Sequence, residues 1–360
     1  MSISFNKKQI LFFTLLLLAS FIFAKNSPQT KNKVDLGGKA IWLWKDLPSM
    51  KKIKSVMYYH PACKELEQAE LELSALDSSQ RGHSALGQAE QVLSELEPAG
   101  LNQSADKKNQ NTGSDKRNGA KLKNGTAAVI ICPGGSYHHL GLYNEGFKSA
   151  QWFSQRGVAA FTLRYRTAED GNHYPAMLQD LQRAIQLVKE NADEFGIDPE
   201  KVGIIGYSAG GHLVTMGGAF WQSHNELKKL GIEHSVSLKP AFVIPVYPVV
   251  SMQDDIAHRW SRKSLLGTNQ SQERKDEFSM EKQIPADMSP TYIVVAKDDN
   301  VVDYHNSLVL YQALQAQNIK CHLEIYEWGK HGFGMLNGPF MKAFHWNEKV
   351  WLWLEENKLL

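Results

Sequence analysis

Cysteine is scarce in this sequence: 360 residues contain three, Cys63, Cys132 and Cys321. Three thiols cannot build a disulfide framework, and their spacing matches no zinc module. An excess of either charge is also missing, with 40 Lys+Arg against 38 Asp+Glu and a formal net charge of +2. That balance produces no field to recruit nucleic acid or an anionic membrane as the main partner, so small-molecule chemistry is the expectation. One apolar run, Ile10 to Ala24, stands out, and it is too short to span a bilayer comfortably. Asn6-Lys7-Lys8-Gln9 precedes it and the small residue Ala24 closes it before Lys25, so residues 1–24 read as a secretory signal peptide. The alternative is an uncleaved N-terminal anchor. A cleaved signal implies a secreted or periplasmic protein with no stable membrane association afterwards.

A second segment, 62–126, lacks the character of a packed domain. Between Lys64 and Glu97 it is rich in Glu, Ser, Ala and Leu, with Leu66, Ala69, Leu73 and Leu76 at helical spacing. From Ser104 to Asn124 it is rich in Lys, Asn and Gly and has no aromatic residue. Such composition buries too little apolar surface to offset chain entropy. The expectation is a polar, low-complexity insertion: a short amphipathic helix and an oppositely charged, flexible tether. A docking or lid element is the functional alternative.

What remains, from about residue 33 to 360, reads as one domain interrupted by that insertion. Beyond Ala127, β-branched runs alternate with helical patterns. Strands are predicted over Ala127–Cys132, Val158–Tyr165, Val202–Tyr207, Ala241–Tyr247, Thr291–Ala296 and Cys321–Tyr326. Helices are predicted over Gly146–Arg156, Pro175–Asn191, Ala209–Gly217, Asn306–Gln317 and Phe340–Asn357. Repeated β-helix-β units require an α/β fold, a mostly parallel central sheet with helices on both faces. Lys54 to His60 would supply an antiparallel edge strand. Ligands then belong at the carboxyl ends of the strands.

Three loops at those ends carry chemistry. Gly206-Tyr207-Ser208-Ala209-Gly210 lies between a strand and a helix. A nucleophile on so sharp a turn needs small neighbours, and Gly206 and Gly210 supply the room, which makes Ser208 the candidate nucleophile. A serine hydroxyl needs a base, and the base an orienting carboxylate, in the chain order Ser, acid, His. After Thr291–Ala296 come Asp298 and Asp299, of which only one can face the histidine. The D-x-x-V phrase from Asp299 favours that residue, leaving Asp298 as a solvated turn acid and Asp303 as a helix-start residue. After Cys321–Tyr326 comes Gly-flanked His331, the candidate base; His212, on the helix after the turn, is expected to be packed and hydrogen-bonded. The loop Pro133-Gly134-Gly135-Ser136-Tyr137 suits an oxyanion site, with the Gly135 and Ser136 amides joined by that of Ala209. No Walker lysine and no G-x-G-x-x-G pattern supports a phosphate-binding reading of it. Cys132 is expected to be a core residue. Tyr137 and Tyr207 are candidates for substrate contact; Tyr137 and Tyr143 suit stacking on a sugar ring, with packing as the alternative role.

With these loops in order, the chain resembles the α/β-hydrolase esterases, in particular the acetylxylan-esterase-like secreted carbohydrate esterases of the lipase/esterase group. The resembling phrases are Pro133–Tyr137, Asn144-Glu145-Gly146, Leu163–Arg166, Tyr174-Pro175 with Asp180, Gly206–His212, Ser289-Pro290 and His331–Gly334, with Ile41–Trp44 similar to a short N-terminal segment. The resemblance implies an α/β-hydrolase fold and deacylation through an acyl-serine, with Ser208, Asp299 and His331 as the triad and neither metal nor cofactor. Two positions depart from the pattern: Ser136 stands where relatives often have a third Gly, and Asp303 where they often have Pro. The 62–126 insertion is also foreign to it. The expected function is therefore a serine esterase removing short acyl groups, acetyl above all, from carbohydrates. A general short-chain carboxylesterase, lipase or serine peptidase on the same scaffold is the alternative, and a non-catalytic hydrolase-like binding protein is the rival of another class.

Overall fold

A computed structural model describes residues 38–50, 52–62 and 125–360. The signal segment 1–24 and almost all of the 62–126 insertion lie outside the described residues. The expected insertion ends slightly too late: Gly125 leads directly into a strand, and Thr126 is that strand's first residue.

Eight strands form a single sheet: β1 (Lys39–Trp42), β2 (Val56–His60), β3 (Thr126–Cys132), β4 (Ala159–Arg164), β5 (Ile197–Tyr207), β6 (Val243–Val246), β7 (Thr291–Ala296) and β8 (Cys321–Tyr326). Their spatial order is β1-β2-β4-β3-β5-β6-β7-β8. All pairings from β4 to β8 are parallel, and the β1–β2 and β2–β4 pairings are antiparallel. The segment expected as the antiparallel edge is thus one place in from it. Lys39–Trp42 adds a further strand, four residues long and too short to be recognised by alternation alone.

Successive residues of the central strands supply opposite faces, as a two-residue period demands. Ala128, Ile130, Val202 and Ile204 join one core, with Leu181 and Ile185 of α2 (Ala176–Glu190), Leu213 of α3 (Ala209–Ala219) and Leu310 of α5 (His305–Ala316). Val129, Ile131, Ile205 and Tyr207 join the other, with Phe153 of α1 (Lys148–Ser154), Phe340 of α6 (Pro339–Phe344) and Trp346 and Val350 of α7 (Trp346–Glu356). A buried strand flanked by helices on both sides has no polar face, which is why these strands read as continuous apolar runs.

Two helices differ from expectation. The first begins as a π-helical turn, Leu142–Phe147, before continuing as α1. The closing helix is broken into α6 and α7 by His345, at φ 45° and ψ 44°, so that Phe340 and Trp346 can both enter one core from differently directed segments. No helix among the described residues is long and apolar enough to cross a membrane.

The sheet order places the functional loops. From β3 the chain moves outward to β4 and then returns to the other flank of β3 as β5, so the connections leave β3 and β5 in opposite directions. A crevice opens at the carboxyl ends of such a pair. The loops after β3 and β5 carry Gly135, Ser136 and Ser208, and those after β7 and β8 carry Asp299 and His331.

Candidate active site

Ser208 stands on a tight turn between β5 and α3, at φ 53° and ψ −118°. A non-glycine residue pays for that backbone conformation, and the fold holds it with Ser208 N–H donating to Val246 O at 2.9 Å. The flanking glycines are obligatory. A Cβ on Gly206 would lie 2.1 Å from Gly210 O, and one on Gly210 would lie 2.1 Å from Cys132 O.

His331 reaches Ser208 from the loop after β8, with 2.9 Å between Nε2 and the serine Oγ. On its other side Nδ1 lies 2.7 Å from Asp299 Oδ2. The tautomer with the proton on Nδ1 satisfies both contacts, donating to the carboxylate and accepting from the hydroxyl. The carboxylate of Asp299 is fully shielded from solvent. Its Oδ1 accepts the backbone amides of Val301 and Val302 at 2.9 and 3.0 Å, which fixes its orientation. Asp298 is more than a solvated acid: it accepts the Lys330 amide at 2.7 Å and ties down the loop that carries His331. Asp303 accepts the His305 amide at the start of α5.

The loop after β3 folds into a concave backbone. Gly135, Ser136 and Tyr137 all have positive φ, at 126°, 57° and 58°. Gly135 O accepts the amides of both His138 and His139 at 3.0 Å, while Gly141 donates to Gly134 O at 2.9 Å. Among the described residues, no protein acceptor takes the amides of Gly135, Ser136 or Ala209. Ala209 opens α3, where orphan amides and the helix dipole both favour negative charge. A cleft of about 290 Å³ runs between these elements, lined by Gly135, Ser136, His139, Glu145, Ser208 and His331 among others. Among the described residues, no group of three or more His, Cys, Asp or Glu is spaced to hold a metal ion.

This geometry is accompanied by clear sequence kinship. The BD-FAE family model matches residues 118–314. The chain belongs to the BD-FAE family. It is 30% identical over 211 residues to an acetylxylan esterase of Xylanibacter ruminicola, an alignment covering 58% of this chain and 41% of that protein. It is also 30% identical over 223 residues to endo-1,4-beta-xylanase B of Butyrivibrio fibrisolvens, covering 61% of this chain and 34% of that one. The chain thus matches well under half the length of these relatives. An acetyl ester-xyloside bifunctional hydrolase from Caldicellulosiruptor lactoaceticus has a similar structure, with a TM-score of 0.66 at 24% identity, covering 90% of this chain and 97% of that one. The fold of this BD-FAE chain is accordingly the α/β-hydrolase fold.

Two expectations for the BD-FAE site need correction. Tyr137 and Tyr207 are completely buried and cannot touch a substrate. The Tyr137 hydroxyl is 2.8 Å from His212 Nδ1, and that of Tyr207 is 2.7 Å from Ser149 Oγ. Both rings are spent on packing, because their backbones leave the cleft while their side chains turn into the two cores. His212 is packed as expected, its Nε2 2.8 Å from Phe278 O, and burial lowers its pKa to about 4. Burial likewise pushes the Cys132 thiol up, leaving it a core residue.

Residue-by-residue reading missed a buried acid beside the cleft. Glu145 accepts the Gly134 amide at 2.6 Å through Oε2 and the Tyr247 hydroxyl at 2.9 Å through Oε1. Burial raises its pKa, and the bonds from Gly134 and Tyr247 and the nearby charge of His331 draw it back. The same Tyr247 hydroxyl accepts the Gly334 amide at 3.1 Å, and its ring lies 4.8 Å from that of His331. The sequence signal was the position of Tyr247, directly after β6 at the carboxyl edge where sites form.

Proposed function

We propose that this chain is a serine esterase that cleaves short-chain acyl esters, acetyl above all, of carbohydrates. The observation carrying the reading is the continuous relay from Asp299 through His331 to Ser208, at 2.7 and 2.9 Å, beside a loop of unengaged amides. The matched relatives named for acetyl-ester and xylan chemistry supply the substrate class.

In the first half-reaction Ser208 Oγ attacks the ester carbonyl while His331 Nε2 takes its proton. The amides of Gly135, Ser136 and Ala209 receive the oxyanion, the step in which preorganised donors contribute most. Asp299 keeps the imidazolium oriented and compensated. His331 then protonates the departing sugar oxygen, leaving an acyl-serine. Water, deprotonated by His331, attacks that ester, and the acid departs as the serine recovers its proton. No metal or cofactor enters this scheme. The catalytic domain comprises residues 33–360 interrupted by 62–126, and removal of residues 1–24 delivers it outside the cytoplasm as a secreted or periplasmic enzyme.

The test compares wild type with Ser208→Ala on p-nitrophenyl acetate and on an acetylated xylo-oligosaccharide. Wild type is expected to cleave both and to be labelled covalently by a fluorophosphonate, and Ser208→Ala to do neither. Equal rates in the two proteins would sink the mechanism.

A further inference from the structure

One exposed aromatic side chain stands beside the cleft without serving the core. Trp260 is 48% exposed on α4 (Arg259–Leu266), whose buried side consists of Ser261, Arg262, Ser264, Leu265 and Leu266. Its ring lies 5.3 Å from that of His138 and 5.9 Å from that of His139, tilted 45° to each. His139 lines the same cleft as Ser208 and His331. The amides of His138 and His139 are both anchored on Gly135 O, so the backbone that carries these two imidazoles is tied to the candidate oxyanion loop. The start of α4 is pinned as well, by the 2.7 Å contact between His258 Nδ1 and Ser261 Oγ. Burial, and after it the charge of nearby His331, lower the pKa of His258, the residue that immediately precedes α4.

This surface has a mixed chemistry. The indole offers a broad apolar face with a negative π-cloud, suited to a stack of polarised C–H bonds. Among the described residues, no hydrogen bond engages a ring nitrogen of His138 or His139, so both imidazoles can donate or accept at its rim. A pyranose ring has this pattern, with one C–H face and a rim of hydroxyls. An unsubstituted aromatic acyl group would match the indole and leave the imidazole nitrogens without partners. We propose that Trp260, His138 and His139 form a platform that binds the sugar ring bearing the scissile ester, and so set the preference for carbohydrate esters. This inference rests on the esterase reading for its substrate, but its binding test does not.

The experiment has two arms. In a Ser208→Ala background, calorimetric titration with acetylated xylotriose is expected to show a Kd raised about five- to tenfold by Trp260→Ala, with Trp260→Phe recovering most of the loss. In the active chain, the ratio of kcat/KM for acetylated xylotriose to that for ring-free ethyl acetate is expected to fall by a similar factor, mainly through KM. An unchanged Kd and ratio in Trp260→Ala would overturn the platform. So would a loss confined to an aryl-acyl ester such as methyl cinnamate. If wild type cleaves no ester at all, the esterase reading fails and the titration alone decides the platform.

Discussion

Tyr247 donates its hydroxyl to Glu145 at 2.9 Å across 102 residues of sequence, and the same oxygen accepts the Gly334 amide at 3.1 Å. Glu145 holds Gly134, at the start of the candidate oxyanion loop, and Gly334 follows closely on His331. One phenol and one carboxyl therefore tie the loop that would receive the oxyanion to the loop that carries the base. Tyr247→Phe removes both hydrogen bonds and keeps the ring against His331. We expect kcat to fall roughly tenfold or more with KM little changed, since misplacement by a fraction of an ångström is felt in the transition state. Glu145→Gln, which can still accept from Gly134, should lose less than Glu145→Ala. Steady-state kinetics with p-nitrophenyl acetate, set beside the melting temperature, separates this from simple destabilisation. Unchanged kcat in Tyr247→Phe would refute it.

The adjacent acids Asp298 and Asp299 should behave very differently. Asp299 contacts His331 Nδ1, whereas Asp298 only holds the Lys330 amide. Asp299→Asn is expected to lower kcat by about three to four orders of magnitude, because an amide can impose the wrong imidazole tautomer. Asp298→Asn should cost less than about tenfold. Comparable losses would mean that the loop, and not the Asp299–His331 hydrogen bond, governs activity.

Gly206→Ala should be intolerable. Its new methyl group would meet the backbone oxygen of Gly210 at 2.1 Å, and neither can swing aside, so the turn under Ser208 must open. The expected readouts are a lower melting temperature and loss of fluorophosphonate labelling. Gly338→Ala is the control, since its Cβ would have no heavy atom within 4 Å, and it should match wild type.

Asp180 is the most heavily engaged buried acid. It accepts Trp44 Nε1 and Ser55 Oγ, both at 2.7 Å, and the Arg166 amide at 2.8 Å, and it pairs with the Arg166 guanidinium at 2.9 Å. Asp180→Ala would strand the Arg166 charge and several donors, for an expected loss of about 3–5 kcal/mol by urea unfolding. Adding Arg166→Met should restore part of it. A loss below about 1 kcal/mol would show that solvent replaces the acid.

Stability should fall with acidity partly through His212. Burial lowers its folded pKa to about 4 from an ordinary 6.5. Above 6.5 neither folded nor unfolded imidazole is charged, and His212 contributes no pH dependence. Between 6.5 and 4 the unfolded chain takes up a proton that the native site refuses, so stability declines as pH drops, by roughly 3 kcal/mol in all. His60, whose pKa burial also lowers to about 4, adds to the decline in the same direction. His212→Gln can still pair with the Tyr137 hydroxyl and Phe278 O, and its melting temperature should fall less than that of wild type between pH 7 and 4.5. Identical falls in the two proteins would exclude this origin.

The sequence alone determined those features whose causes are local. Strands buried on both faces must be continuous apolar runs, and β7 and β8 have the predicted bounds. A sharp strand-to-helix turn demands small residues around Ser208, and the order of loops along the chain follows from the order of β-helix-β units. Tertiary packing decided the rest. Asp299 rather than Asp298 meets His331 because the turn after β7 is held by amides on one side and by Lys330 on the other. Tyr137 and Tyr207 adjoin the cleft in sequence, yet the cores on either side of the sheet claim their rings. Glu145 lies far from Ser208 along the chain and comes to its cleft only because the loops converge on the carboxyl edge of one sheet, and Trp260 packs on cleft-lining His139 for the same reason. Local sequence specifies backbone conformation and which residues avoid water, whereas contacts between distant loops depend on how both faces of the sheet pack, and no short stretch of sequence contains that information.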